Sequence, residues 1–593
     1  MDSAIQTKGI LNLLVRLWHH LCRRQKLQFG LVLGLMLVSA FAEVVSLGAV
    51  LPFLGILISP DKIFNHPLAA DVVQVLDITS ADQLVLPLTI MFVVAALMSG
   101  AIRMVLLWVN TRLVFSSGTD LSRDVYQRTL YQPYSVHIAR NSSEVVSGVT
   151  SKVNKTIGVL SSVLTLINSS VSVVAVVGTL IVIDPMVALI ALAGFGFSYA
   201  IITAFVRHRL KRNSTLVARE ETQVIKALQE GLGGIRDVLL DGTQSTYCHI
   251  FRQADYSLKR TTANNLVIAG SPRFAMEALG ITLIAVLACS LSSQAGGIAA
   301  ALPTLGALAL GTQRLLPTLQ HTYTAWSSIV ASHASLADTI ELLDQPVPTE
   351  ALRVDIVPLR FQNFIRFDNV HFRYGNDGPW VLEGLNLTIP KGSRVGFIGN
   401  TGSGKSTALD LLMGLLQPTK GELLVDGEPV DEKHARAWQQ TIAHVSQTVF
   451  LADSTIAENI AFGVPLETID RERVKQAAQN AQIDSFIEKQ VEGYNTFVGE
   501  RGIRLSGGQR QRIGIARALY KQASVLVFDE ATSALDNTTE QSVMRSIEGL
   551  SDDLTILIIA HRLTTIKQCD FVVKLEYGRV GTQVKYEQLH EIG

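Results

Sequence analysis

The chain has 593 residues, 48% of them hydrophobic and 17% charged, with a mean hydropathy of +0.30. Such a length calls for more than one domain, and the apolar excess places part of the chain in lipid. Lys+Arg and Asp+Glu balance at 51 each, which argues against a global basic surface for nucleic acid. Cys22, Cys248, Cys289 and Cys569 are scattered without paired spacing, against a disulfide framework or a zinc site.

Residues 1–26 carry Lys8, Arg16, Arg23, Arg24 and Lys26, while Ile10, Leu11, Leu14, Trp18 and Leu21 recur at helical spacing. This predicts an amphipathic helix along the membrane surface. Residues 27–58 are almost wholly apolar. The run exceeds the ~20 residues a bilayer span needs and is too long for a signal-peptide core. It is read as a retained first span. Runs at 84–114, 156–183, 186–206, 266–291 and 298–316 predict five more, the third and fourth joined by the Asp184-Pro185 turn. Six spans return the chain to its starting side. Between 59 and 83 the only Lys or Arg is Lys62, whereas 111–155 and 207–265 hold many, including Arg123, Arg128, Lys152, Arg207 and Lys211. The positive-inside rule makes those two segments and both termini cytoplasmic.

Both cytoplasmic segments lack a loop-like Gly/Pro composition, so they predict helical extensions of the spans. Breaks at Gln132-Pro133-Tyr134-Ser135 and Gly231-Leu232-Gly233-Gly234 are either kinks or seats for short transverse helices that touch the domain that follows. Charges inside spans suggest function, and Glu43, Arg103, Arg273, Glu277 and Arg314 qualify. Arg273 and Glu277 are four apart and suited to pair. Unpaired arginines facing a cavity would instead suit an anionic or phosphate-bearing substrate.

The predicted domains are 1–340, helical and membrane-spanning; 341–360, a linker marked by Pro346-Val347-Pro348; and 361–593, an α/β P-loop NTPase. In the last, Gly399-Asn400-Thr401-Gly402-Ser403-Gly404-Lys405-Ser406-Thr407 lies between an apolar strand and a helix start. That is the context a phosphate-binding loop needs: glycines bring backbone N–H groups round the phosphates and the helix N-terminus adds partial positive charge. Lys405 would reach the β/γ-phosphates and Ser406 would ligate Mg²⁺. Tyr374, ending a strand, would stack on the base. Gln447, ending another, would ligate Mg²⁺ and orient water. Asp529 and Glu530 follow an apolar strand; Asp529 suits Mg²⁺ and Glu530 suits polarising the attacking water. His561, after a further strand, would contact the γ-phosphate. Ser506-Gly507-Gly508-Gln509 opens a helix and forms a second anion site. One nucleotide hardly needs both, so two chains facing head to tail explain them best, each phosphate loop completed by the other chain's Ser506, Gly507, Gly508 and Gln509.

From about residue 360 the chain resembles the nucleotide-binding domain of ABC transporters. Walker A, the Q-loop Gln447, the Leu505-Ser506-Gly507-Gly508-Gln509 signature, Walker B with Glu530, the D-loop with Asp536 and the switch His561 occur in order. Tyr374 matches the adenine-stacking tyrosine, and Val498-Gly499-Glu500-Arg501-Gly502 looks like the X-loop of exporters. With six spans ahead, the chain resembles an exporter-type half-transporter of the type I fold. The resemblance implies a homodimer that binds ATP and Mg²⁺ and couples hydrolysis to alternating access. A short tail and no targeting extension suggest a bacterial inner membrane. The run at 41–53 is similar to the subgroup that flips lipid-linked oligosaccharides, so a polyprenyl-pyrophosphate glycolipid is the first substrate expectation. Export of lipid A, phospholipid, drug or peptide remains the alternative. An ATP-gated channel fits less well, since the ATP motifs are intact, and a soluble cassette ATPase conflicts with the spans.

Overall fold

The computed structural model describes residues 9–50, 53, 56, 80–183, 185–292, 297–348, 356–375, 377–530, 537–548, 553–559, 566–567, 569–586 and 588. The chain divides into two compact units. One comprises Met1–Gln132 and Arg140–Pro346, the other Pro133–Ala139 and Val347–Gly593.

The first unit is helical. Its long apolar runs have few side chains able to satisfy a backbone in lipid, and a helix satisfies its own. Helix α1 (Ile10–His20) precedes α2 (Arg23–Gly48), α3 (Val85–Leu130), α4 (Tyr134–Ala139, counted with the second unit) and α5 (Ser142–Ser147). A π-turn at Gly148–Lys152 leads into α6 (Val153–Ile183), and then come α7 (Pro185–Gly233), α8 (Ile235–Leu240), α9 (Gln244–Gly270), α10 (Pro272–Ser292), α11 (Gly297–Ala331) and α12 (His333–Leu343). Among the described residues, the stretches Arg23–Ser46, Val85–Leu130 and Ser142–Val182 are long and apolar enough to cross a membrane. Helices α7, α10 and α11 cover the other three predicted spans. Leu97, Leu107, Phe197 and Phe205 are exposed on these helices, as lipid-facing side chains are. Helices α3 and α7, of 46 and 49 residues, are roughly 70 Å long and outrun a ~30 Å hydrocarbon core. That length is what helical extensions beyond the spans require, and short helices follow both predicted breaks.

Two departures from the sequence reading are instructive. In α1 the buried side chains are Leu13 and Leu17, followed by Leu21 beyond its end, while Leu11, Val15 and Trp18 stay exposed. The helix therefore carries one apolar face against the protein and another free for lipid, and the single stripe read from the sequence mixed the two. The run predicted as the fifth span is split between two helices: Ser271 keeps helical dihedrals with its N–H on Val267 O, and the hydrogen-bond ladder is interrupted at Pro272, where α10 starts.

The base of this unit is one apolar cluster, in which Leu13, Leu17, Leu121, Val125, Val153, Ile329, Leu336 and Ile340 meet. Polar contacts grip α12 around it. Lys152 Nζ lies 2.6 Å from Asp338 Oδ2, Thr156 donates to Thr339 at 3.0 Å, and both Arg16 and His20 bond Asp344, His20 at 2.8 Å. Burial, with Arg128 and Arg16 nearby, pushes His20 below its usual range. A Cβ on Gly148, in the π-turn, would lie 2.7 Å from Leu342 Cδ1, so α12 packs directly on that backbone. Since Lys152 is mostly buried, Lys152→Met should lower stability by about 1–3 kcal/mol, short of a fully buried pair. Asp338→Asn should cost a similar amount, and the double variant less than the sum. Thermal unfolding of the four proteins in detergent checks this.

The second unit is α/β. Strands β1 (Phe364–Arg373), β2 (Trp380–Pro390), β4 (Lys420–Val425) and β5 (Glu428–Pro429) form an antiparallel sheet ordered β2-β1-β4-β5. Strands β3 (Arg394–Ile398), β6 (Ile442–Val445), β7 (Val525–Asp529), β8 (Thr555–Ile559), β9 (Phe571–Glu576) and β10 (Arg579–Val584) form a second sheet, ordered β10-β9-β3-β8-β7-β6. From β9 to β6 it is parallel throughout. Helix α13 (Lys405–Leu412) follows β3, and α14 (Ile456–Ile460), α15 (Arg471–Asn480) and α16 (Gly507–Tyr520) lie between β6 and β7. Helix α17 (Asn537–Glu548) follows β7. Two apolar cores flank the parallel sheet. One holds α13 and the antiparallel sheet; the other holds α14, α15 and α16.

Candidate functional site

In a parallel sheet a ligand site belongs at the C-terminal ends of the strands, and register decides which loops meet there. Phe397 pairs with Ile559, Ile559 with Asp529, and Phe528 with Val445. The phosphate loop after β3, Asp529 and Glu530 at the end of β7, and Gln447 after β6 therefore leave the sheet along one edge. Gln447 and Glu530 each stand two residues beyond a register pair, and Gln447 Nε2 donates to Glu530 Oε2 at 2.7 Å. Glu530 has φ 50° and its N–H bonds Ile559 O at 3.2 Å. A left-handed glutamate costs of order 1–2 kcal/mol, and these two hydrogen bonds hold it there.

The phosphate loop is shaped by glycines. Gly404 caps α13 with φ 98°, and a Cβ there would lie 2.7 Å from Leu382 Cδ2. Gly399 has φ 149°, and a Cβ there would lie 2.4 Å from Leu575 O. Lys405 is buried and its Nζ donates to Gly399 O at 2.7 Å and Asn400 O at 3.1 Å. The ammonium thus borrows loop carbonyls. Ser403 Oγ is buried without a hydrogen-bond partner. A loop with an unsatisfied hydroxyl, a folded-back lysine and left-handed glycines fits a polyphosphate, and the oxygen donors Asp529, Ser406 and Gln447, delivered to the same edge of the sheet, are of the kind that suits a hard cation.

Tyr374 is half-exposed. Phe372 packs edge-on against its ring, centroids 5.0 Å apart, and its hydroxyl lies 3.2 Å from Thr407 Oγ1. The Tyr374 ring is thereby fastened to the helix of the phosphate loop, a link the sequence reading missed. Pro133–Ala139, the first predicted break, is grouped with this unit. Tyr134 there feels burial first, then Asp410 and Tyr374, all of which raise its phenol above the usual range.

Ser506 caps α16. Its Oγ accepts from Gln509 N–H at 3.3 Å, and Gln509 Oε1 accepts from Ser506 N–H at 2.8 Å. Ser506 and Gly507 are exposed, and the helix they open packs in the core opposite to that of the phosphate loop. His561 and Asp536 lie outside the described residues.

In the membrane unit the structure pairs two of the three predicted arginines. Arg103 approaches buried Glu43 at 3.9 Å, between α2 and α3, and Arg273 Nε donates to Glu277 Oε1 at 2.7 Å. The Arg273–Glu277 pair expected from helical spacing forms, and the alternative of unpaired arginines is corrected for Arg103 as well: each charge has a carboxylate beside it, which lowers the cost of holding it in the membrane. The Arg103 side chain remains about half exposed and that of Arg273 is 66% exposed. The Arg314 side chain lies outside what the structure describes.

This arrangement defines a P-loop ATP-binding cassette fused to a six-helix membrane unit. Residues 382–533 match the family "ABC transporter", and residues 38–298 match "ABC transporter transmembrane region". The chain is 32% identical over 470 residues to the "ATP-dependent lipid A-core flippase" of Cupriavidus pinatubonensis, covering 78% of this chain and 79% of that one. The protein of the same description from Chromohalobacter salexigens is 35% identical over 386 residues, covering 64% and 65%. A solved structure described as a bacterial Atm1-family ABC exporter with ATP bound superposes with a TM-score of 0.77 at 24% identity, over 96% of both chains. The chain belongs to the ABC transporters. It is an integral membrane half-transporter of exporter fold, with an ATP-hydrolysing domain coupled to transport.

Asp410, on α13, is the titrating group of this site. Burial first, then Asp529, pushes its carboxyl up to about 6. A carboxyl raised in the folded state binds its proton more tightly there than when unfolded, so stability falls as pH rises from about 4 through about 6. In nucleotide-free protein with chelator, Asp410→Asn should raise the unfolding temperature at pH 7.5 and flatten its pH dependence in that window. Thermal unfolding across pH checks it, and an unchanged slope would count against the Asp410–Asp529 repulsion.

Proposed function

We propose that the protein is a homodimeric ATP-driven flippase of the bacterial inner membrane, and that its substrate is an anionic amphipathic lipid of the lipid A type. The lipid A-core flippases among its relatives favour that substrate over the polyprenyl-pyrophosphate oligosaccharide suggested by the run at 41–53. The observation that carries the substrate class is the common depth of the arginines. Arg103 lies about 27 Å along α3 from Val85, Arg273 about 28 Å along α10 from Ser292, and position 314 about 26 Å along α11 from Gly297. In a ~30 Å core that depth is the cytoplasmic headgroup level. Guanidinium groups there, accessible beside carboxylates, suit phosphates of an inner-leaflet lipid, which they would bind in bidentate fashion.

In the ATP site, Lys405 would exchange the carbonyls of Gly399 and Asn400 for the β- and γ-phosphates. Ser406, Asp529 and Gln447 would hold Mg²⁺, which neutralises charge on those phosphates. When Gln447 turns to that task it would give up its bond to Glu530, whose carboxylate would accept a proton from the attacking water. Ser506, Gly507, Gly508 and Gln509 would offer their N–H groups to nucleotide on the second copy, with Asp536 and His561 in the roles the family assigns them. Closing the two copies round ATP would draw the cytoplasmic extensions together, and cleavage would part them.

Glu530→Gln should lower ATP turnover by at least ~10²-fold while ATP still binds, and should abolish transport; continued flux with ATP bound would point to a channel. Mixed dimers of a Lys405→Ala chain with a Ser506→Ala chain should retain one intact composite site, read as residual hydrolysis above either homodimer. In proteoliposomes, a lipid A-type glycolipid should cross with ATP faster than a polyprenyl-pyrophosphate oligosaccharide, a phospholipid or a peptide. Arg103→Ala and Arg273→Ala should each reduce substrate-stimulated hydrolysis more than basal hydrolysis, and equal losses would reassign them to structure.

A further inference from the structure

The break in span five has its own polar fastening. Pro272 has no N–H, so the carbonyl of Ile268, four residues back, lacks its helical donor. The carbonyl of Ala269 is among the last four of α9, where the ladder runs out. Helix α11 supplies both donors. Tyr323 O–H donates to Ile268 O at 3.1 Å, and Gln320 Nε2 donates to Ala269 O at 2.9 Å. Gln320 is held in turn by Tyr199 of α7, whose hydroxyl donates to its Oε1 at 3.0 Å, and it donates to Thr324 Oγ1 at 3.1 Å. Tyr199 and Tyr323 are buried with ring centroids 5.5 Å apart. Helices from spans four and six thus meet at one interruption of span five.

The interruption also has conformational freedom. A Cβ on Gly270 would meet nothing within 4 Å, so packing does not require a glycine there and backbone permissiveness is what the residue adds. Helix α10, with 21 residues, is about 31 Å long and crosses the hydrocarbon core by itself. The break therefore lies where the span enters the cytoplasm, one residue before Arg273.

We propose that Gly270-Ser271-Pro272 is the hinge of span five, and that Gln320, Tyr323 and Tyr199 are positioning residues for transport that fasten α9 to α11 in one orientation and exchange partners during the ATP cycle. The cytoplasmic stretch α9 then swings against α10 without unwinding either helix. Side-chain bonds to carbonyls suit the task, since each can be given up and remade while the helices stay whole. The hinge does not depend on which lipid is carried.

Spin labels at Lys259→Cys and Ile281→Cys, with the exposed Cys22, Cys248 and Cys289 replaced by serine, report the angle between α9 and α10 in nanodiscs. The distance distribution should differ between nucleotide-free protein and protein trapped with ATP and vanadate; identical distributions overturn the hinge, with no change to the hinge residues needed. The double variant Gly270→Ala/Pro272→Ala should make the helix continuous, collapse the two distributions to one, and lower transport per ATP hydrolysed while basal hydrolysis persists. Tyr323→Phe should shift the nucleotide-free distribution toward the trapped one and change transport per ATP roughly threefold, the equivalent of one membrane hydrogen bond of ~0.6 kcal/mol. Full transport per ATP in the double variant, or an unshifted distribution in Tyr323→Phe, would refute the fastening.

Discussion

Everything in the ATP-binding unit hangs on strands that end together. Because β3, β8, β7 and β6 are parallel and in step, with Phe397, Ile559, Asp529 and Val445 at or next to one edge, four separate stretches of sequence deliver their polar residues to one line. The central strands are apolar and buried on both faces over residues 525–528 of β7 and 556–559 of β8, which is what a parallel sheet demands. Chemistry is therefore confined to the residues just past each strand. The contact between Gln447 and Glu530 is the direct product of that register, and a slip of one residue in β6 would remove it.

The site is arranged around groups that satisfy one another provisionally. Lys405 is bonded to the loop that a phosphate would approach, Glu530 to the amide expected to turn toward Mg²⁺, and Gln509 to the cap of its own helix. Each bond lowers the cost of a buried or strained polar group, and each can be exchanged for a bond to nucleotide. Ser403 Oγ is the exception, buried with no partner.

The membrane unit answers a related constraint. Its backbone must be satisfied away from water, so helices run uninterrupted for up to 49 residues. Where Pro272 interrupts one, side chains of a neighbouring helix take over the freed carbonyls. Charges follow the same logic: Arg103 sits beside Glu43 and Arg273 beside Glu277. At the base, α12 is gripped by Lys152, Thr156, Arg16 and His20, so the chain leaves the membrane unit from a well-held point.

Much of this was legible in the sequence. The spacing of Gly399 to Thr407, the signature from Leu505 to Gln509 and the strand ending in Asp529-Glu530 are local patterns whose chemistry needs only a few neighbouring residues, and apolar runs of span length announce themselves by composition. The pairing of Arg273 with Glu277 was open to a reading from helical spacing, and the Gly270-Ser271-Pro272 break was open to one from proline's missing donor, though composition alone ran across it. Tertiary structure alone decided that Gln447 meets Glu530, that Thr407 fastens Tyr374, that Asp410 stands against Asp529, that Arg103 finds Glu43 and that Tyr323 and Gln320 serve the carbonyls of another helix. Those pairs lie 33 to 119 positions apart or come from separate helices and strands, and only the register of a sheet or the packing of helices, neither of which leaves a local periodic trace, brings them together.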